Sequence, residues 1–502
     1  MSTQTSLLPQ VSEALALCAI FLATIFIPKF LQWRSRMRKL NAIPTVGYSG
    51  FFSSYISARR FKTHAPEIIL EGYSKYPGQA FKVPLPDRWE VIVSGKEMIE
   101  DIRKASDLDL SSIEAIREFM QSDYTLGKAA SVDTYQIDVV RTPLTRNLGA
   151  KFDELRDEIK AALADEIHAK ETEWLRVPML STSMKIVART SNRYFVGLPL
   201  CRDPDYIKLS IEFTVDAFNG ASVLQRYPDI LKPIVRQLLT NVPSCIKRAT
   251  GHLELLIRER LEKEEEYGSS DWPGKPNDLI SWLLDEAQGE RRQDIIYNIV
   301  SRVLLINVAA IHTTACTNSL FYLAANPHLV RPLREEVESI VAESGWTKAA
   351  MGRMHKLDSF LKETQRLSGL GGVNMFRKVL RDFTFSNGTV VPAGAIVSVA
   401  LLGMHHDDAL YEDPEEMKAF RFSDMRSKEG EGLKHQMVGT DPAYILFGSG
   451  GRHMCPGRFF AVNELKALIG EILLAYDLKL ENGVSPNRFA QVMFKRRIPG
   501  SA

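Results

Sequence analysis

The chain has 502 residues, 45% of them apolar and 25% charged, which excludes a disordered or fibrous protein and supplies material for a large buried core. A formal net charge of +2 excludes a broadly basic surface, so no nucleic-acid partner is expected and any basic patch is local. The cysteines, Cys18, Cys201, Cys245, Cys316 and Cys455, are odd in number and irregularly spaced, poor material for disulfides or a zinc cluster, which leaves one available as an isolated metal ligand in a reducing compartment.

From Ser2 to Pro28 the only formal charge is Glu13, and Lys29, Trp33, Arg34, Arg36, Arg38 and Lys39 follow. A spanning helix needs roughly 17–25 apolar residues, and a cleaved signal peptide would carry its positive charge ahead of the apolar run, not after it. The pattern predicts a membrane anchor over 1–33 with the remainder on the cytosolic side. Residues 34–60 read as a basic stop-transfer segment and hinge, stiffened at Ile43, Pro44 and Gly47, and 61–502 as one domain.

Strand-like patterns fall at Gln79–Val83, Glu90–Ser94 and within Asn374–Val399, and helical periodicity dominates elsewhere. Phe119, Leu126, Phe213 and Phe218 suit either a bulky apolar pocket or plain core packing. The charged, Gly- and Pro-containing stretch Glu262–Asn277 reads as a surface loop. A long helix is predicted from Arg292 to Asn326, stopped by Pro327; it is apolar almost all round between Val303 and Ile311, as a helix crossing a core must be. Within it, Ala309 and Ala310 permit close approach of a flat group, His312 is suited to relaying protons near neutral pH, and the Thr313 and Thr314 hydroxyls can bond the backbone or a ligand. Glu363 and Arg366, three apart, share a helical face.

Near the C-terminus, Phe447-Gly448-Ser449-Gly450-Gly451-Arg452-His453-Met454-Cys455-Pro456-Gly457-Arg458-Phe459-Phe460-Ala461 combines a tight glycine turn able to present N–H groups to a sulfur, a proline suited to the first position of the next helix, and a helix start that favours a thiolate.

This segment resembles the haem-binding loop of the cytochromes P-450, written F-x-x-G-x-R-x-C-x-G, in a fungal form ending C-P-G-R-F-F-A. Phe447 stands one residue further from Cys455 than that pattern, and His453 replaces its arginine beside Arg452, so either could meet a haem propionate. The resemblance spans nearly the whole chain. It implies a mainly α fold with a small β part, a triangular, α-rich catalytic domain behind an N-terminal transmembrane helix. It implies haem b (iron protoporphyrin IX) bound through the Cys455 thiolate, with Phe447 in the loop and Arg377 and Arg141 toward the carboxylates, although Ile137 stands where the family's W-x-x-x-R has Trp. Glu363, Arg366 and Arg421 match its structural triad, and Thr313 its oxygen-activating threonine, with Ala310 for the usual glycine and His312 for the usual acid. The implied function is a monooxygenase that uses dioxygen on a small hydrophobic natural product, a terpenoid, alkaloid or polyketide, in fungal secondary metabolism. No G-x-G-x-x-G marks a nicotinamide or flavin site, so electrons come from NADPH-cytochrome P-450 reductase, on a shared endoplasmic reticulum membrane whose lipid holds the anchor. A thiolate-haem isomerase or dehydratase, and a non-catalytic haem sensor, are the alternatives; Thr313 favours oxygen chemistry.

Overall fold

The computed structural model describes residues 30–50, 52–86, 88–311, 316–369, 371–481 and 491–498. The predicted anchor therefore falls largely outside the described residues, and so do His312, Thr313 and Thr314. The chain is mainly helical with a small β part and divides into two compact units, one of residues up to Ser112 with Met375–Ala400, the other of Ile113–Asn374 with Leu401–Ala502.

The first unit is built on a five-stranded sheet. Ala80–Pro84 and Trp89–Val93 form an antiparallel hairpin, and the second of these runs parallel to Ile396–Val399 with Val91 opposite Val397. Asn374–Val379 then pairs antiparallel with Leu110–Ser111. Phe81, Val83, Val91, Ile92 and Val93 are fully buried, so both faces of the hairpin are covered, which the sequence shows as near-continuous apolar runs in place of alternation. Helix α1, Ser53–Lys75, carries Pro66, and His64 just ahead of it leaves helical geometry, as the missing N–H and ring clash of proline require. Its Gly72 allows close approach of the Phe81 ring, which a Cβ would meet at 2.3 Å.

The basic segment is docked. Residues 30–42 are helical; Arg36 donates to the Gly394 carbonyl at 2.8 Å, and Lys39 pairs with Asp382. From within the sheet, buried Lys82 donates to the carbonyls of Leu40 and Ile43 at 2.8 and 2.6 Å, and burial draws its pKa down to about 8. The segment expected to act as a hinge is thus stitched to its own unit.

The second unit holds most of the helices and a three-stranded sheet of Leu175–Pro178, Gln491–Arg496 and Tyr476–Leu480. Its site is framed by α2 (Met179–Phe195), α3 (Ile295–Ile311), α4 (Cys316–Ala325), α5 (His355–Leu367) and α6 (Arg458–Ala475). α3 begins later than expected because Gly289–Arg292 forms a 3-10 turn and Asp294 adopts a positive φ of 45°. α4 ends at Ala325, ahead of Pro327 as predicted. By length and composition the run Ile295–Ala325 could cross a membrane, but 59% of its most apolar 18-residue window is buried inside the fold. The stretch Glu262–Asn277 divides: the helix Val242–Tyr267 continues through the charge run and stops at left-handed Gly268, and the part from Gly268 onward is loop as expected. Arg292 donates two hydrogen bonds to Glu264, at 2.7 and 3.0 Å, so the acidic run has a docked partner and needs no loop.

Candidate functional site

The cysteine loop folds by turning three times through glycine. Gly448, Gly450 and Gly451 take φ values of 93°, 105° and 76°, a region open to glycine at little cost. The loop closes where the Cys455 N–H donates to the Phe447 carbonyl at 2.9 Å. α6 starts at Arg458, with Gly457 as its cap, so Pro456 sits ahead of the helix and not at its first position. The amides that reach the sulfur come from Gly457 and Arg458, not from the preceding glycines. Burial raises the Cys455 thiol above its ordinary pKa; those amides and the Arg458 guanidinium pull it back. Arg458 also donates to the Cys455 carbonyl at 3.1 Å and lies 4.4 Å from the Phe459 ring, so it braces the loop.

Cys455 opens into a cavity of about 470 Å³. Ala309 and Ala310 of α3 line it, as do Leu305, Ile306, Val140, Phe447 and Gly457. Cys201, Cys245 and Cys316 are buried elsewhere, and burial pushes their pKa values up to about 11, 12 and 12. Among the described cysteines, only Cys455 faces the cavity. A flat, apolar cofactor with a metal centre suits this chamber: its walls are mostly hydrocarbon, one soft sulfur donor enters it, and the buried Gln365 amide on its wall has an N–H that meets no acceptor among the described residues.

The predicted ion-pair network is present and buried. Arg366 donates twice to Glu363, at 2.9 Å to each oxygen, and Arg421 adds a third bond at 3.1 Å. Glu363 and Arg366 are fully buried. Among the described residues the second guanidinium has no carboxylate of its own, and carbonyls take up the excess: Pro414 accepts from Arg366 at 2.7 Å, Glu412 from Arg421 at 2.5 Å.

Three residues named as propionate candidates come together. Arg141 donates to the Arg452 carbonyl at 3.2 Å, and the Arg452 guanidinium lies 3.0 Å from the His453 ring nitrogen. Arg377 belongs to the other unit, buried on Asn374–Val379, where it donates to the Phe376 carbonyl at 2.9 Å. Of the four apolar residues weighed as pocket walls, Leu126 lines the cavity. Phe213 is core, while Phe119 and Phe218 are half-exposed and meet edge-to-face at 6.0 Å, because helical periodicity identifies an apolar face without saying what covers it.

Sequence reasoning passed over two buried charges. Glu464, on the cavity wall, accepts from Thr190 and Ser191 of α2 at 2.7 and 2.9 Å, and burial pushes its pKa up to about 7. Arg302 lies in α3 and is 1% exposed. For Arg302 the available signal was a lone charge inside an otherwise uncharged helix; Glu464 shares its helix with Lys466 and Glu471, and nothing along the chain sets it apart.

A model of the cytochrome P450 family matches residues 51–499. Cytochrome P450 monooxygenase 151 of Postia placenta is 41% identical over 93% of this chain and 96% of its own length. Cytochrome P450 monooxygenase CYP512U6 of Ganoderma lucidum is 34% identical, over 95% and 92%, and ent-kaurene oxidase P450-4 of Gibberella fujikuroi 31%, over 88% and 87%. The solved heme domain of cytochrome P450DA shares the fold with a TM-score of 0.67 at 15% identity, over 91% of this chain and 98% of that one. The class is that of haem enzymes whose iron carries an axial cysteine thiolate. The chain belongs to the cytochrome P450 family, and with it come dioxygen, an organic substrate and a redox partner.

Proposed function

We propose that Cys455 is the axial ligand and that the chain is a monooxygenase placing one oxygen atom of dioxygen into a small hydrophobic natural product, in the secondary metabolism of a fungus. The carrying observation is that a single sulfur, held by two backbone amides, enters an apolar chamber lined by Ala309 and Ala310. Thiolate-bound haem supplies the O–O bond cleavage that such chemistry needs. The residues around it do the rest: Glu363, Arg366 and Arg421 fix the segments that carry the loop, Arg141, Arg452 and His453 form a basic edge for a carboxylate, with Arg377 a further candidate, and Thr313 and His312 handle protons by resemblance. One relative is named as an oxidase of ent-kaurene, which favours a terpenoid substrate. Electrons are supplied by NADPH-cytochrome P-450 reductase, and residues 1–33 anchor the chain in the endoplasmic reticulum membrane with its catalytic part in the cytosol. The test is the absorption spectrum of the reduced, carbon monoxide-bound protein: the wild type gives the red-shifted Soret band of a thiolate ligand, and Cys455→Ser loses it. An unchanged band in the variant overturns the assignment.

A further inference from the structure

The segment 122–137 has two faces. Tyr124, Lys128 and Asp133 line an outer, partly charged cavity of about 640 Å³; Leu126, Ala130 and Thr134 of the same segment line the inner chamber that holds Cys455. One thickness of chain therefore separates the two spaces. That chain is made of short pieces, a π-helical turn at Asp123–Gly127 and single helical turns at Lys128–Val132 and Gln136–Val139. It is entered through a positive-φ residue, Gln121 at 49°, and bends again at Gly127 at 93°. Broken helices of this kind yield locally at lower cost than a continuous one.

Much of what ties this wall to α3 converges on one side chain. The Arg302 guanidinium donates to the Asp133 carbonyl at 2.7 Å, to the Ala129 carbonyl at 3.3 Å and to the Gln136 side-chain oxygen. Asn298, one turn earlier, accepts from its Nε at 2.7 Å, and the Tyr135 ring lies against it at 3.7 Å. No carboxylate among the described residues pairs with Arg302. The Asp133 carboxylate is taken by Arg291, at 2.6 and 3.2 Å. A buried cation held only by dipoles and a ring recovers its desolvation cost incompletely. At the same seam the Ser301 hydroxyl is buried and meets no partner among the described residues. The closed wall is thus a held state whose polar groups are not all satisfied.

We propose that Arg302 is a positioning residue that latches segment 122–137 and so sets the passage of organic molecules between the outer polar chamber and the inner apolar one. The inference rests on the haem assignment, because the inner chamber is then the reaction site. Arg302 touches neither cofactor nor substrate; it acts through the wall.

The test uses the haem-loaded full chain and two nitrogen ligands of iron, imidazole and 4-phenylimidazole, followed by the Soret shift in stopped flow. Arg302→Lys keeps the charge and loses the planar fork. Association and dissociation of 4-phenylimidazole are expected to accelerate together by about tenfold, leaving its affinity nearly unchanged, while the small imidazole is affected less than about twofold. Amides 129–136 should exchange with deuterium faster in the same protein. Unchanged phenylimidazole rates, or equal acceleration of both ligands, would overturn the proposal, since a general loosening does not discriminate by size. If Arg302→Lys fails to hold haem, Tyr135→Leu removes the ring and leaves the polar contacts, and the same two outcomes decide. Failure of the haem assignment shows separately, as a wild-type carbon monoxide band without thiolate character.

Discussion

Thr190 donates its hydroxyl to a Glu464 carboxyl oxygen at 2.7 Å, and neither side chain reaches solvent. Ser191 supports the same oxygen at 2.9 Å. Burial nevertheless wins over both bonds and lifts the carboxyl from its ordinary 4.5 to about 7, so at moderately acid pH the folded chain keeps a proton that the unfolded chain releases.

That difference fixes the sign of a pH effect. A carboxyl with a raised folded pKa contributes most in acid, and its contribution drains away as pH climbs from the unfolded value through the folded one, roughly 3 kcal/mol between about pH 4.5 and 7. Glu464→Gln keeps an acceptor for Thr190 and Ser191 but cannot ionise. Its denaturation midpoints should gain on the wild type between pH 5 and pH 8; parallel pH profiles would refute this.

Glu363→Ala removes the one carboxylate among the described residues that Arg366 and Arg421 share. Two buried guanidinium groups are then left to carbonyls and the Tyr411 ring, and the loss should be about 3–5 kcal/mol, with much of the haem gone from purified protein. Chemical denaturation and the haem-to-protein absorbance ratio measure both; a loss under about 1 kcal/mol would show that the carbonyls and the ring suffice.

Lys362 is the opposite case. Its ammonium is buried between the rings of Phe422 and Tyr444, at 4.1 and 4.6 Å, and burial lowers its pKa to about 8. Asp441, its nearest carboxylate at 3.7 Å, stays partly in solvent. Lys362→Met strands no charge and keeps the packing, so a change within about 1.5 kcal/mol is expected. A collapse in the thermal melt would mean that the cation itself is needed.

Three glycine-to-alanine changes separate three causes. Gly72→Ala drives a methyl into the Phe81 ring and should cost about 1–3 kcal/mol or more. Gly451→Ala has open space but a φ of 76°, so backbone strain alone should cost about 1–2 kcal/mol. Gly251 lies inside the helix Val242–Tyr267 with no heavy atom within 4 Å of a built Cβ, so alanine should add roughly 0.5–1 kcal/mol. Melting curves of the three should fall in that order.

The sequence was most informative where chemistry forces neighbouring residues to agree. Glycines, cysteine and proline in one run announced the loop, and Glu363 with Arg366 announced a shared helical face. Arg141 was harder: its surroundings along the chain say nothing, and only folding brings it to the carbonyl of Arg452, 311 residues away. Arg302 and Glu464 were missed because most of what partners them comes from distant segments: Ala129, Asp133 and Gln136 for Arg302, Thr190 and Ser191 for Glu464. Phe119 and Phe218 were overread, since hydrophobicity counts what could be buried and not what is.

The stitching of residues 36–46 to the first sheet has a practical side. Lys82 reaches through the interior to hold the carbonyls of Leu40 and Ile43, so a shortened chain beginning at Gly47 would lose a strip of that unit's own wall and strand an ammonium group. A shortened version made for crystallisation or assay should begin before Arg34, because what reads along the chain as a leash is, in three dimensions, part of the body it would be cut from.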